Sequence, residues 1–168
     1  RRCPPERIAG VPIVAIFREG EKGVVALPVA DCGEGLVLSA PESAGDRLRL
    51  TGELPEVTVT DSRTAQQAGL GGWAVTGHAD AFTSAGQSIG ADHLGWTPTV
   101  LTPRPGLTAG SEVATALDDG PGLETPASLA TADAQGRYGT AKLAALLRLE
   151  VPIDTQPAGY PRSNIIAL

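Results

Sequence analysis

The sequence predicts an all-β protein, an antiparallel β-sandwich of immunoglobulin-like or related Greek-key topology. Glycine occurs 21 times and proline 14 times in 168 residues, and both residues punctuate or break helices. Several short segments alternate between apolar and polar residues with the period of two that a strand with one buried face requires. No segment shows the pattern of an amphipathic helix. Short strands separated by turn residues are typical of sandwich folds.

The predicted strands follow one another along the chain. Residues 11–17 and 23–29 are apolar and β-branched, and the polar residues 18–22 between them predict a hairpin connection. Further strands are predicted at 36–39, 47–51, 57–60, 73–82, 97–101 and 164–168. Residues 61–63 and 66–72 are predicted to be loops, and residues 111–117 fit either a strand or a helix.

Residues 141–153 carry the clearest pattern. The apolar odd-numbered positions are Ala141, Leu143, Ala145, Leu147, Leu149, Val151 and Ile153. Propensity alone would make residues 140–149 helical, because Ala and Leu favour helices. The alternation outweighs these weak propensities, and Pro152 would end a helix in any case. We therefore expect a strand that buries its odd-numbered side chains and turns Lys142, Arg148 and Glu150 the other way.

The chain is predicted to form a β-sandwich domain, residues 36–168, with an N-terminal hairpin segment, residues 1–35, packed on it. Cys3 and Cys32 are the only cysteines, and we expect a disulfide between them that stabilises the segment by about 3–4 kcal/mol. The alternative is two unpaired thiols. A disulfide would indicate an extracellular location. The chain does not begin with Met, which suggests a processed or trimmed chain and leaves open whether a signal peptide or anchor was removed.

Composition and charge disfavour several functional classes. The chain has 13 basic and 19 acidic residues and a net charge of -6. Its basic residues are scattered, whereas a nucleic-acid-binding protein would show a basic stripe. No run approaches 18 uninterrupted apolar residues, so no membrane span is predicted. No Cys-x-x-Cys pair or phosphate-binding loop occurs, and neither a metal nor another cofactor is expected.

An ordered series of short motifs begins at residue 36. It comprises Leu36-Val37-Leu38-Ser39-Ala40-Pro41, Val57-Thr58-Val59-Thr60-Asp61-Ser62-Arg63, Gly72-Trp73-Ala74-Val75-Thr76, Leu94-Gly95-Trp96-Thr97-Pro98 and Leu149-Glu150-Val151-Pro152. The series resembles the WxL-domain proteins of Gram-positive cell surfaces and related secreted proteins of actinobacteria. Val75 stands where the family has Leu, and the second Trp-x-Leu motif of the family is lacking near the C-terminus. The resemblance implies a non-catalytic, secreted module associated with peptidoglycan or with other surface proteins.

Five side chains are candidates for ligand contact: Trp73, Trp96, His78, Asp80 and His93. An exposed Trp would stack on a sugar ring, although core packing is the commoner role of Trp in a sandwich. Trp96 is predicted at a junction between a loop and a strand. His78 and Asp80 are two residues apart and would share one face of a strand. With Asp92 or His93 they could chelate a metal or form part of a catalytic dyad, but a solvated face is the commoner explanation.

The sequence thus predicts a secreted, non-enzymatic module that binds peptidoglycan, another cell-wall polymer or a surface partner protein. Two alternatives remain open at this point. One is a structural subunit of a surface assembly. The other is a hydrolase or metal-dependent enzyme that uses His78 and His93.

Overall fold

A computed structural model describes residues 24–28, 38–84, 87–155 and 165–167 of the chain. Antiparallel strands dominate these residues, which confirms the all-β class. The strands are β1 (Val24–Pro28), β2 (Glu42–Ser43), β3 (Arg47–Glu53), β4 (Val57–Asp61), β5 (Trp73–Ala79), β6 (Phe82–Ser84), β7 (Gln87–Ile89), β8 (Leu94–Val100), β9 (Leu107–Ala109), β10 (Ala127–Ala132), β11 (Gly139–Pro152) and β12 (Ile165–Ala167). Helical structure in the described ranges consists of α1 (Ala65–Ala68) and two 3₁₀ helices, Ala91–His93 and Ala116–Asp118.

The larger sheet is organised around the long strand β11. Strands β3 and β4 follow one another along one side of β11, where β3 pairs with residues 146–152 and β4 with residues 139–143. Strand β8 pairs with residues 143–149 and lies on the other side, since it overlaps the pairing range of β3. Strands β1 and β2 extend the sheet beyond β4 and β3, respectively. Strand β11 is therefore central to this sheet.

The smaller sheet has the strand order β12-β5-β10-β9, and β6 and β7 form a separate hairpin. One hydrophobic core contains residues from both larger sheets. The sheet of β11 contributes Val57, Val59, Leu143 and Leu147, among others, and the sheet of β5 contributes Trp73, Val75, Leu129 and Ala132. Burial of this apolar surface is the main stabilising term of the fold.

The alternation predicted for residues 141–153 is confirmed over β11. The odd-numbered positions from Ala141 to Val151 are buried, whereas Leu146 is 53% exposed. Ile153 was predicted to be buried and is instead exposed, because the strand ends at Pro152 and Ile153 lies in the following turn. Glu150 is also an exception, since its side chain points away from the core and is nevertheless fully buried.

A pair of neighbouring leucines on β11 tests this assignment of faces. Leu147→Ala should lower the free energy of unfolding by about 2–5 kcal/mol, because it leaves a cavity in the core. Leu146→Ala is the matched control and should change the free energy of unfolding by less than about 0.5 kcal/mol, since its side chain is half exposed. Urea denaturation of the two variants measures both values. Equal losses would contradict the assigned faces of β11.

Some other predicted elements differ from those observed. Residues 23–29 contain β1, which pairs with β4, but the strand at 11–17, the hairpin at 18–22 and the Cys3–Cys32 disulfide lie outside the described residues. The predicted loop at 66–72 begins with helix α1. A reciprocal capping box forms there, because Gln67 N–H donates to the Thr64 hydroxyl and Thr64 N–H donates to the Gln67 side chain.

The middle part of the chain also shows differences. Of the strand predicted at 36–39 the structure describes residues 38 and 39, and Leu38 forms an isolated bridge with Gly52. Residues 111–117, predicted as either strand or helix, form a bridge at Val113 followed by a 3₁₀ helix. Strands β9 and β10 were not predicted. Across the described ranges, no helix has the length and apolar character needed to cross a membrane.

Strand β8 carries two residues that shape its surroundings. Pro98 lies opposite Ala145. The backbone of Ala145 faces away from β8, because its carbonyl oxygen accepts from Leu54 N–H at 2.8 Å on the other side of β11. The pairing of β8 with β11 therefore requires no N–H group from Pro98. Gly95 lies under the segment after β9, because a Cβ atom there would lie 2.4 Å from the Val113 carbonyl oxygen. This close approach lets residues 113–120 cross the sheet beside Glu150.

Candidate functional site

The Glu150 cluster consists of Glu150, Arg47, Arg49, Thr115 and Asp118. The Glu150 carboxylate accepts from the Thr115 hydroxyl at 2.7 Å, from Arg49 Nε at 2.8 Å and from Arg47 Nη1 at 3.2 Å. Arg47 Nη1 also donates to Asp118 at 2.7 Å. The cluster thus joins β3 and β11 to the segment that passes over Gly95.

The Glu150 carboxyl is ionised in this setting. Burial raises its pKa, but the hydrogen bonds from Thr115 and Arg49, with the charges of Arg148 and Arg49, outweigh burial and lower the pKa to about 2. A buried carboxylate that is fully hydrogen-bonded and paired is a fixed structural charge. Its lone pairs are committed to the protein and are not free to bind a ligand.

A pocket of about 330 Å³ lies next to this cluster. His93, at the end of the first 3₁₀ helix, lines the pocket and places its Nδ1 atom 2.8 Å from the backbone oxygen of Glu150. Because a carbonyl oxygen only accepts, Nδ1 must carry the proton, and in neutral imidazole the Nε2 atom is then an acceptor. The other lining residues are Gln87, Ser88, Ile89, Gly90, Val151, Pro152 and Thr155. We refer to this site as the His93 pocket.

A second buried ionic group, the Asp61 cluster, lies at the other end of β11. Asp61 pairs with Arg63 through bonds of 2.9 Å and 2.7 Å and with Arg137 Nη1 at 3.3 Å. All three side chains are buried. Burial raises the pKa of Asp61, and the hydrogen bonds and charge of Arg63 outweigh it, so that the pKa lies below its ordinary value. Arg137 also donates to the Arg63 carbonyl oxygen at 3.1 Å.

Three loops meet where β11 begins, and the Asp61 cluster joins two of them, residues 62–72 and 133–138. The three loops are residues 62–72, 101–106 and 133–138, and together we call them the loop end. Arg104 joins two of them by donating to the Gly136 carbonyl oxygen at 2.8 Å. The loop end exposes three large apolar side chains, since Leu70 is 95%, Tyr138 51% and Leu101 47% exposed.

The two predicted tryptophans are both buried. Trp73 donates from its indole Nε1 to the Arg137 carbonyl oxygen at 3.3 Å, and its ring is part of the core. Trp96 is only 1% exposed and lies within β8 rather than at the predicted junction of a loop and a strand. Neither ring offers a face to solvent on which a sugar could stack.

The polar candidates are separated. His78 is half-buried on the face of β5 turned away from Val75 and Ala79, whereas His93 is bonded to β11 in the other sheet. Asp80 was predicted to share a strand face with His78, but β5 ends at Ala79 and Asp80 is an exposed residue beyond it. In the described part of the chain, no three His, Cys, Asp or Glu side chains are grouped to hold a metal ion.

Of the residues that build these sites, sequence reasoning identified only His93 as a candidate. The pair Asp61 and Arg63 carried a usable signal, since opposite charges two residues apart at a strand end share one face. Glu150 carried no such signal. Its place in the alternating pattern of β11 predicts a solvated side chain, and the segment that covers it, residues 113–120, is distant in sequence. Ser88 also carried a signal that was missed, since residues 86–90 read Gly-Gln-Ser-Ile-Gly and fit the Gly-x-Ser-x-Gly pattern. The pocket brings Ser88 and His93 together.

The two ends of β11 therefore offer different interactions. The His93 pocket provides hydrogen-bonding groups above an apolar floor, and the loop end provides apolar side chains on a fixed framework. The buried charges in both clusters are occupied by partners within the chain. No family model matches the chain, and no curated protein or solved structure is significantly similar to it.

Proposed function

We propose that this chain is a secreted, non-enzymatic module of the cell surface that binds a surface partner protein through its loop end. The ordered motifs from residue 36 support a relationship to WxL-domain proteins, and the surface location follows from that relationship. The proposal retains one of the two partner classes that the sequence predicted. The other class, peptidoglycan or another wall polymer, is separated from it by the experiment below.

We propose a β-sandwich of immunoglobulin-like or related Greek-key topology as the fold of this module. Two features support it. The chain passes repeatedly from one sheet to the other, as between β4 and β5 and again between β10 and β11. Both sheets also bury their apolar faces in the same core, which is the arrangement that sheet-on-sheet packing requires.

The exposed apolar side chains of the loop end carry the functional proposal. Large apolar and aromatic side chains that protrude from a rigid framework are typical anchors of protein interfaces. Leu70 protrudes on a short loop after α1, and the Asp61 cluster holds the adjacent backbone through Arg63, which donates to the Gly72 carbonyl oxygen at 2.9 Å. The burial of Trp73 and Trp96 weighs against a stacking platform for sugars.

Binding to intact Gram-positive cells tests this proposal. The labelled protein should bind to the cells, lose binding after the cell surface is treated with protease, and show no retention on protein-free peptidoglycan. Leu70→Ser should reduce cell binding several-fold without changing the melting temperature, because the side chain has almost no contacts to lose. Leu146→Ser, which alters an exposed leucine on the sheet of β11, should bind as the unaltered protein does.

Two results would contradict a protein partner. Retention on purified, protein-free peptidoglycan that matches cell binding would favour a wall polymer. Equal binding by Leu70→Ser and the unaltered protein would exclude the loop end as the contact surface.

A structural subunit of a surface assembly is the second candidate. The same loop end would then contact another copy of the chain. Light scattering over a range of concentrations distinguishes this candidate, since self-association should be weakened by Leu70→Ser and unaffected by Leu146→Ser.

A hydrolase is the third candidate, and it rests on Ser88 and His93 lining one pocket. A backbone carbonyl oxygen orients His93 in the tautomer that a general base needs. Turnover of ester substrates that is abolished by Ser88→Ala and His93→Asn, but not by His78→Asn, would favour this candidate over a binding module.

A further inference from the structure

We propose that the His93 pocket binds one small, neutral, hydroxylated unit such as a single sugar ring. The pocket lies beside the last residues of β11, whereas the loop end lies where β11 begins. This inference therefore stands apart from the proposed protein contact and does not depend on it.

The walls of the pocket combine two kinds of surface. Ile89 and Val151 are buried apolar residues that supply its floor. Gln87, Ser88 and Thr155 supply an amide and two hydroxyl groups. A ring with C–H groups on its faces and hydroxyl groups at its edge matches this division, since ligand sites combine apolar walls with a few placed polar groups.

His93 is held in the orientation that such a ligand requires. Its Nδ1–H group donates to the Glu150 carbonyl oxygen at 2.8 Å, and the side chain of the same Glu150 is fixed by Thr115 and Arg49. The Nε2 atom is then available to accept from a ligand hydroxyl group. A binding group fixed in advance loses little conformational entropy when the ligand arrives.

The charge of the pocket selects against ionic ligands. Among the described residues that line it there is no Lys or Arg, so a phosphate or carboxylate would find no cation from them, and the net charge of the chain is -6. The described lining residues include no Asp or Glu either, so an amine would find no carboxylate among them. A volume of about 330 Å³ is at the lower end for small-molecule sites and corresponds to one ring.

Backbone NMR titrations with three sugars of similar size test the proposal. Glucose is the neutral probe, glucose 6-phosphate the anionic probe and glucosamine the cationic probe. We expect saturable glucose-induced shifts at residues 87–93 and 151–155, with a Kd of about 1–10 mM for a single ring. Glucose 6-phosphate and glucosamine should each bind at least several-fold more weakly.

Variants of the two histidines distinguish a ligand contact from a structural role. His93→Asn keeps an N–H donor for the Glu150 carbonyl oxygen and lacks an equivalent of Nε2. It should weaken glucose binding by about 3- to 10-fold, the effect of one net hydrogen bond, at an unchanged melting temperature. His78→Asn is the matched control on the other sheet and should bind glucose normally, as should Leu70→Ser.

Several outcomes would overturn the proposal. The first is a set of glucose-induced shifts that do not saturate or are scattered over the surface. The second is binding of glucose 6-phosphate or glucosamine that is as tight as binding of glucose. The third is a His93→Asn variant that binds glucose with unchanged affinity. Failure of the cell-binding experiment alone would leave this result unaffected, because that experiment addresses the loop end.

Discussion

Asp61→Ala should lower the free energy of unfolding by about 3–5 kcal/mol, the cost of leaving buried charges without their partner. Arg63 and Arg137 are both buried and both donate to the Asp61 carboxylate. Without that carboxylate, two buried guanidinium groups would lose the anion that both of them share. Chemical denaturation at pH 7 measures the loss.

The control for this experiment is Asp80→Ala, which removes an exposed carboxylate and should cost less than about 0.5 kcal/mol. Because the pKa of Asp61 is lowered in the folded state, its contribution is present above the pKa of the unfolded chain and is lost as the pH falls. An Asp61→Ala variant that is as stable as Asp80→Ala would show that Asp61 does not hold the loop end together.

Glu150→Gln should also destabilise the fold, by about 2–4 kcal/mol. The amide nearly matches the carboxylate in shape, but it loses the charge that Arg47 and Arg49 share, and charged hydrogen bonds of this kind are the stronger ones. Glu53→Gln on neighbouring β3 is the matched control, because Glu53 is exposed. Urea denaturation at pH 7 compares the two, and equal stability would contradict the structural role of Glu150.

The same pair of proteins has a predicted pH dependence. The pKa of Glu150 falls from its ordinary value of 4.5 to about 2 on folding. The folded state therefore gains stability from Glu150 above pH 4.5 and loses it as the pH falls from about 4.5 to about 2. The stability difference between Glu150→Gln and the unaltered protein should shrink over this window. A difference that stays constant down to pH 2 would exclude ionised Glu150 as its cause.

The sequence pattern predicted much of the framework and little of the sites. The period-two alternation in residues 141–151 was sufficient to identify β11 and its buried face, because burial of one sheet face imposes that period directly. Strand β10 escaped prediction, since Ala127–Ala132 consists of small residues apart from Leu129 and lacks a clear alternation between apolar and polar side chains. Weak local signals are decided by tertiary packing.

The sites depend on contacts between residues that are far apart in the chain. Glu150 meets Thr115 across 35 positions and Arg49 across 101, and no local pattern encodes such distances. His93 was identified from its residue type alone. The backbone of β11 determines the tautomer of His93 and forms part of its pocket. No pattern in the sequence predicts that β11 lies beside His93.

Pro98 has a consequence for association between molecules. On the side of β8 away from β11, Trp96 pairs with Val113, and Pro98 is the next residue whose backbone nitrogen would face that way. Because this nitrogen carries no hydrogen, a strand from another molecule finds no donor there to extend the sheet. Pro98 therefore disfavours edge-to-edge pairing between molecules, which is the first step of fibril-like association.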